Sequence, residues 1–350
     1  MRYDKVFLDS IAYELPPVVV TTRELEDRLL PLYEALHIAP GYVEALTGIV
    51  ERRWWEEGFA LTDGAIAAAR KALAISAVHA EDLGAIVYAG VCREQLEPAT
   101  ACRVAAALGA SPSAAVYDVS NACLGVLNGI LDVANRIELG QIEAGLVVTC
   151  ESAREITEIT MQRMLAAKSM DVFVSSLATL TGGSGAAAVL LTSASERREV
   201  NGRQRHRLLG GVTGAAPERH GLCRWGFVPR ENLFSQLMTT DSVNVLKYGV
   251  ELGWRTWETF LRCLDWTREH VDKVICHQVG ASHRASILER LGIPAERDYT
   301  TFEYLGNMGT ASLPLTAALA ESRKFLRPGD RVGLLGIGSG LNCLMLGVEW

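Results

Sequence analysis

Short runs of β-branched and apolar residues alternate along the chain with stretches whose apolar positions recur at helical spacing. Strands are predicted at Ala85–Ala89, Ala115–Val119 and Gly145–Thr149, with helices at Ala99–Leu108 and Leu124–Ile137 between them. The same order returns later as strand Lys273–His277, helix His283–Leu291, strand Asp298–Phe302, helix Ala311–Phe325 and strand Arg331–Leu335. Strands and helices in strict alternation predict an α/β fold. The opening MRYDKVFLDSIAYELPP carries charges at Arg2, Asp4, Lys5 and Asp9, where a secretory leader needs an unbroken apolar stretch, and reads as a first strand. The longest uncharged run, Val172 to Ser195, holds eight Ser/Thr residues and the turn Gly182-Gly183-Ser184-Gly185. It reads as a buried strand pair with a turn and not as a membrane span.

The two series of elements look like one motif used twice. Leu108-Gly109 matches Leu291-Gly292 at an offset of 183, Cys123 matches Asn307 at 184, and Gly140 matches Gly329 at 189. A repeat of that length implies paired halves, 1–200 and 201–350, and not a solenoid, whose period is about 20–50 residues. Between them Arg197–Asn232, rich in Arg, Gly and His, reads as an exposed excursion.

Composition narrows the field further. With 350 residues, 49% of them hydrophobic, the chain can bury a continuous core. A formal charge of −7 with no basic tract would repel a polynucleotide, so no nucleic-acid partner is expected. Eight cysteines contain no C-x-x-C pair, which signals neither a metal site nor a small disulfide framework; reduced thiols in the cytoplasm are the expectation.

One cysteine is placed for chemistry. In DVSNACLGVLNGI, residues 118–130, Cys123 sits where a strand turns into a helix, so the first helical N–H groups and the positive end of the dipole should favour its thiolate. Taken alone it reads more readily as a core filler, since free cysteine is among the most buried residue types. His277 in VICHQVG and Asn307 in YLGNMGTASLP stand at matching strand ends of the second half. Singly, a histidine there is a structural donor and an asparagine a helix cap. Together, a Cys, a His and an Asn at the carboxyl ends of strands in two related halves should meet in one cleft, where open α/β sheets bind ligands.

With those segments in hand, the chain resembles, end to end, the condensing enzymes of the thiolase superfamily in their ketoacyl synthase III branch. TGIVERRWW (47–55) and GIGSGLNC (336–343) add to the likeness. REQLEPATA (93–101), NACLGVLNG (121–129), GGSGAAA (182–188) and LLGIGSGLNC (334–343) are most similar to the head-to-head acyl-CoA condensing enzymes of olefin biosynthesis, the OleA type. The initiation enzymes of the branch carry H-Q-A-N followed shortly by Arg; here the stretch is His277-Gln278-Val279-Gly280-Ala281-Ser282. That departure puts a carrier-protein or CoA grip copied from them in doubt.

The resemblance implies a thiolase fold, two duplicated halves forming a five-layered α-β-α-β-α sandwich. It implies an acyltransferase performing a non-decarboxylative Claisen condensation of two fatty acyl-CoAs, through an acyl-Cys123 intermediate, to a 2-alkyl-3-oxoacyl product and its β-keto acid. His277 and Asn307 would stabilise the enolate, and backbone N–H groups of Cys123 and of the Gly338–Ser339–Gly340 turn would form the oxyanion hole. Glu97, 26 positions before Cys123, would be the base and act in the partner subunit's site; without the resemblance it is a solvated charge before a helix. Arg52, Arg53 and Trp54, read as a cation-rich loop, would hold a CoA phosphate and adenine, or merely cover surface. No permanent cofactor and no metal are implied, since coenzyme A thioesters come as substrates. A homodimer is the expected assembly, with a heterodimer of relatives as the alternative. Met161, Met164 and Met170 are read as core or dimer packing, although they could also line an acyl channel. Two other readings stay open: a decarboxylating 3-oxoacyl-ACP synthase III using a malonyl thioester, and a catalytically idle subunit of a heterodimer.

Overall fold

In the computed structural model, which describes residues 1–194, 199–200, 203–230 and 233–350, nine strands form one sheet. They are β1 (Val6–Glu14), β2 (Ala85–Ala89), β3 (Ala115–Val119), β4 (Ala144–Glu151), β5 (Gly185–Ser193), β6 (His206–Ala215), β7 (Lys273–Cys276), β8 (Arg331–Gly338) and β9 (Asn342–Glu349). Their spatial order is β7-β8-β9-β6-β1-β5-β4-β2-β3. On the first-half side β2 runs parallel to both β3 and β4, while β5 is antiparallel to β4 and β1. The second half repeats the scheme: β7 is parallel to β8, and β9 is antiparallel to β8 and β6. The halves join through β1 and β6, where only Phe7↔Arg207 and Leu8↔His206 pair.

Six helices complete the motif: α1 (Leu61–Ala74), α2 (Thr100–Leu108), α3 (Gly125–Glu138), α4 (Ser242–Leu264), α5 (Ala281–Leu291) and α6 (Ser312–Ser322). The period-two alternation of the strands decides their layering. Leu146 and Val148 of β4 face Ala65, Ala69 and Val104 of α1 and α2, whereas Val147 faces Ile130 and Ala134 of α3. In β9, Leu344 and Leu346 face the same inner cluster, while Cys343 and Met345 face Trp257, Phe260 and Leu288 of α4 and α5. Helices outside, the first half of the sheet, helices α3 and α6, the second half of the sheet, and helices outside make five layers. Helix α6 is buried from Ser312 to Ala320 without a break, as a central helix must be. The related glycines Gly109 and Gly292 close α2 and α5 in the left-handed conformation, with φ of 71° and 69°.

Several expectations are corrected. In the uncharged run, Met170–Ser176 is helical and Leu177–Thr181 a 3₁₀ turn; only Gly185–Ser193 is strand. Phe173 there packs with Leu25 and Tyr33, and Leu177, four residues on, joins the same cluster, so the segment has one apolar face at helical spacing. Asp298–Phe302 is not a strand but a single bridge between Asp298 and Val274. The Gln278 Oε1 accepts from Thr301 N and Phe302 N at 2.7 and 2.8 Å, so those donors go to a side chain and not to a ladder. The excursion Arg197–Asn232 contains β6, which lies mid-sheet with His206 and Leu208 buried. Arg205 beside it is also buried, its guanidinium 4.6 Å from the Phe7 ring centroid. Cys223–Arg230 and Leu233–Thr240 form a separate hairpin. Parts of that excursion, and residues 201–202 at the expected boundary of the halves, lie outside the described residues. Among the described residues no helix is long and apolar enough to cross a membrane.

Candidate active site

Between β3 and α3 the chain turns sharply. Ala122 adopts φ 46°, Leu124 N donates to Asn121 O at 2.9 Å, and Gly125 N to Ala122 O at 3.3 Å, which sets Cys123 at the mouth of the helix. Leu124, the residue capping α3, has no side chain that can accept a hydrogen bond. The cap comes from the other half: Thr310 Oγ1 accepts from Val126 N at 2.7 Å. Asn121 Oδ1 accepts from Asn342 Nδ2 at 3.0 Å, and its own Nδ2 donates to Asn128 at 2.8 Å, tying the turn that carries Cys123 to the start of β9. A side chain at Gly338 would lie 3.4 Å from Cys123 N, so the β8–β9 turn carrying Ser339 comes close to the cysteine backbone.

His277 reaches the same place by extending β7, its N–H donating to Leu335 O at 2.8 Å, three residues before Gly338. Asn307 arrives with the turn that holds Thr310. Its N–H donates to Thr181 O, its carbonyl accepts from Gly183 N, both at 2.9 Å, and its Oδ1 accepts from Gly309 N at 3.0 Å, fixing the amide. The two loops pass so closely that a Cβ on Gly183 would sit 1.9 Å from Leu305 O. The first turn of α3, the end of β8 and the 307–310 turn thus meet, bringing the backbones that carry Cys123, His277, Asn307 and Ser339 to one junction.

Its electrostatics differ from the expectation. The Cys123 thiol is pushed up to about 12, chiefly by burial and further by Cys223 and Glu151, against the pull of its own N–H. The expected thiolate is therefore corrected: burial outweighs the helix end, whose first N–H groups are taken by Asn121 O, Ala122 O and Thr310. His277 is pulled down to about 4 by burial and by His283, so its imidazole is neutral at neutral pH. A protonated thiol and a neutral imidazole at one junction suit acyl transfer in which the proton moves as the sulfur attacks.

Glu97 is not at this junction. It lies in the exposed loop 93–98, next to Leu96, which is 88% exposed. The loop expected at Arg52, Arg53 and Trp54 is corrected to a strand, Glu51–Trp54, paired antiparallel with Val18–Thr21. Arg52 is wholly buried, donating to Thr22 Oγ1 at 3.0 Å and Leu180 O at 3.1 Å, and burial pulls it down to about 10. Trp54 is buried as well, and Arg53 alone is half-buried, with Nη1 3.3 Å from Pro16 O. Met161 and Met164 are core residues, while Met170 is exposed. Sequence reasoning missed Thr310, Asn121, Gln278 and Glu151. Of these Glu151 had a visible signal, a lone carboxylate ending the apolar run of β4.

Residues 261–350 match the family 3-Oxoacyl-[acyl-carrier-protein (ACP)] synthase III C terminal. Over 100% of both chains, the protein is 58% identical to the acyl-CoA:acyl-CoA alkyltransferase of Shewanella oneidensis. It belongs to the acyl-CoA:acyl-CoA alkyltransferase family. The chain is thus an acyltransferase of the thiolase-fold condensing enzymes. Its identity to the Streptomyces coelicolor Beta-ketoacyl-[acyl-carrier-protein] synthase III 3 is lower, 31% over 96% of this chain and 94% of the other. The cerulenin-bound structure of Xanthomonas campestris OleA superposes with a TM-score of 0.92 at 35% identity, covering 100% of this chain and 98% of that one. Forms of OleA with a cysteine, a glutamate or a histidine replaced match with TM-scores of 0.90, 0.92 and 0.91.

Proposed function

We propose that this alkyltransferase joins two fatty acyl-CoAs head to head, without loss of CO₂. Cys123 takes the first acyl group: its sulfur attacks the thioester carbonyl, the thiol proton passes by way of His277 to the departing CoA sulfur, and the tetrahedral oxyanion is held by the N–H groups of Cys123 and of the Gly338–Ser339–Gly340 turn. A second acyl-CoA then gives its α-proton to Glu97 of a neighbouring copy. Its enolate oxygen rests on His277 and the Asn307 amide, while its α-carbon attacks the acyl-cysteine and expels the Cys123 sulfur. The product is a 2-alkyl-3-oxoacyl-CoA, and water releases CoA from it to leave the β-keto acid. Halves 1–200 and 201–350 each bring part of the site, a homodimer works in the cytoplasm toward olefin synthesis, and of residues 52–54 only Arg53 retains surface for a CoA phosphate.

The observation that carries this reading is the junction of the α3 mouth, the Gly338 turn and the Asn307 turn around Cys123. The names of the relatives support the substrate class. So does an interval: the replaced glutamate of Xanthomonas OleA precedes its replaced cysteine by as many positions as Glu97 precedes Cys123.

The test mixes two inactive variants. Glu97→Ala should accept an acyl group on Cys123 and stop, and Cys123→Ala should take none. After subunit exchange the mixed dimer, with one cysteine facing one glutamate, should condense acyl-CoAs. Full condensation by Glu97→Ala homodimers would refute the base assignment, and product formed only with malonyl-CoA would establish decarboxylating chemistry instead.

A further inference from the structure

Glu151 closes β4 inside the protein, 4% exposed, and takes no part in the chemistry proposed above. Its two oxygens accept from consecutive backbone N–H groups, Val91 at 2.9 Å and Cys92 at 3.1 Å. These residues begin the loop that leaves β2, carries Glu97 and enters α2. The loop root is held from other sides too: Tyr88 Oη donates to Cys92 O at 2.7 Å and Cys150 O at 2.8 Å, and Cys92 Sγ to Ser152 O at 3.4 Å. The same carboxylate borders the Asn307 turn, since a side chain on Gly309 would meet Glu151 Cδ at 3.5 Å.

The far end of the loop is clamped in the same manner. Asp118 accepts from Thr100 N at 2.9 Å and Ala101 N at 3.0 Å, and Glu94 from both Thr62 N and Thr62 Oγ1 at 2.8 Å. Between the clamps the crest is bare, with Leu96 and Glu97 exposed. Enclosing a carboxylate is unfavourable unless its lone pairs are met. Here burial pushes Glu151 up, and the Cys92 thiol and then the two N–H groups draw it back.

We propose that Glu151 is a positioning residue, whose grip on Val91 and Cys92 presents Glu97 to the active site of the neighbouring copy. This rests on the reading of Glu97 as a base acting across the dimer. Glu151 works through Glu97, so the loss of condensation is felt in the partner's site; at the Cys123 of its own chain its removal only relieves a charge that pushes the thiol up. A displacement of the base by about 1 Å is enough to cost about 10²-fold in rate.

The experiment uses full-length Glu151→Gln, in which one of the two N–H groups meets an amide NH₂ where an oxygen had been. As a homodimer it should acylate Cys123 within a few-fold of wild type, by intact mass after incubation with an acyl-CoA, while condensation falls about 10²-fold. Mixed with Cys123→Ala it should regain condensation, because the Cys123 of the Glu151→Gln chain then faces a Glu97 whose own loop is held. No rescue in this mixture, when Glu97→Ala with Cys123→Ala is rescued in parallel, would overturn the proposal and assign Glu151 to its own chain's site. Equal loss of acylation and condensation would overturn it as well. Failure of both mixtures would refute the reading of Glu97, and the proposal with it. If Glu151→Gln yields no folded dimer, Glu151→Asp, which keeps the charge but withdraws it by one methylene, carries the same test.

Discussion

Replacing His277 with asparagine should make the enzyme less sensitive to acid, although it removes a residue from the candidate active site. In the folded protein the imidazole is held down to about 4 by burial and by His283, against an ordinary value of 6.5. Between those values the unfolded chain binds a proton that the folded one does not, so stability falls as pH falls. His277 therefore contributes no penalty above pH 6.5, an increasing one toward pH 4, and a constant one below. At 1.36 kcal/mol per unit the full difference is roughly 3 kcal/mol. His277 as a residue keeps some contact with solvent, so that figure is a ceiling. Urea unfolding of wild type and His277→Asn at equal protein concentration, from pH 8 to pH 4, measures it. His283, also lowered by burial, is present in both proteins and largely cancels in the difference. The gap between the two stabilities should move in favour of the asparagine variant as pH drops through 6.5. A gap that stays constant over the whole range would refute the buried, neutral imidazole.

Three further outcomes are expected. With a thiol pushed up to about 12, alkylation of Cys123 by iodoacetamide should accelerate about tenfold per pH unit from 7 to 10, and a plateau below pH 8 would contradict that environment. Thr310→Val removes the acceptor for Val126 N and should lower stability by about 1–2 kcal/mol in denaturant titration, with an unchanged midpoint showing that the cap is dispensable. Gly183→Ala drives a methyl to 1.9 Å from the backbone oxygen of Leu305, beyond the roughly 1–3 kcal/mol of ordinary overpacking. It should not accumulate as folded protein, and a wild-type melting temperature would disprove the close passage of the two loops.

The legible parts of the site were those fixed by local pattern. Cys123 and His277 each follow an apolar strand, so those strand ends could be read even where the lengths could not, whereas Asn307 follows a short helix, Phe302–Leu305, and not the expected strand Asp298–Phe302. What holds those residues in place was not legible, because the partners are far apart in the chain: Thr310 caps Val126 from 184 positions away, and Asn342 reaches Asn121 from 221. The state of the thiol was misjudged for a related reason. A helix mouth is visible in a sequence, but the burial that outweighs it depends on every layer of the fold. Arg52 and β6 show the same limit. Arginines and histidines read as surface, yet Arg52 finds Thr22 and Leu180 inside, and Arg205 and His206 are covered where the two halves join.

Val126 and Thr310 are equivalent positions of the two halves, separated by the same 184 residues as Cys123 and Asn307. The contact between them can form only late in the synthesis of the chain. A growing chain leaves the ribosome from its N-terminus, at about 5–20 residues per second, so Cys123 and its helix emerge well before Thr310, and Gly338 later still. Until then the helix lacks its cap, the sulfur lacks the turn that borders it, and neither His277 nor Asn307 is present. An unfinished chain lacks the contacts between the halves that bring this candidate site together.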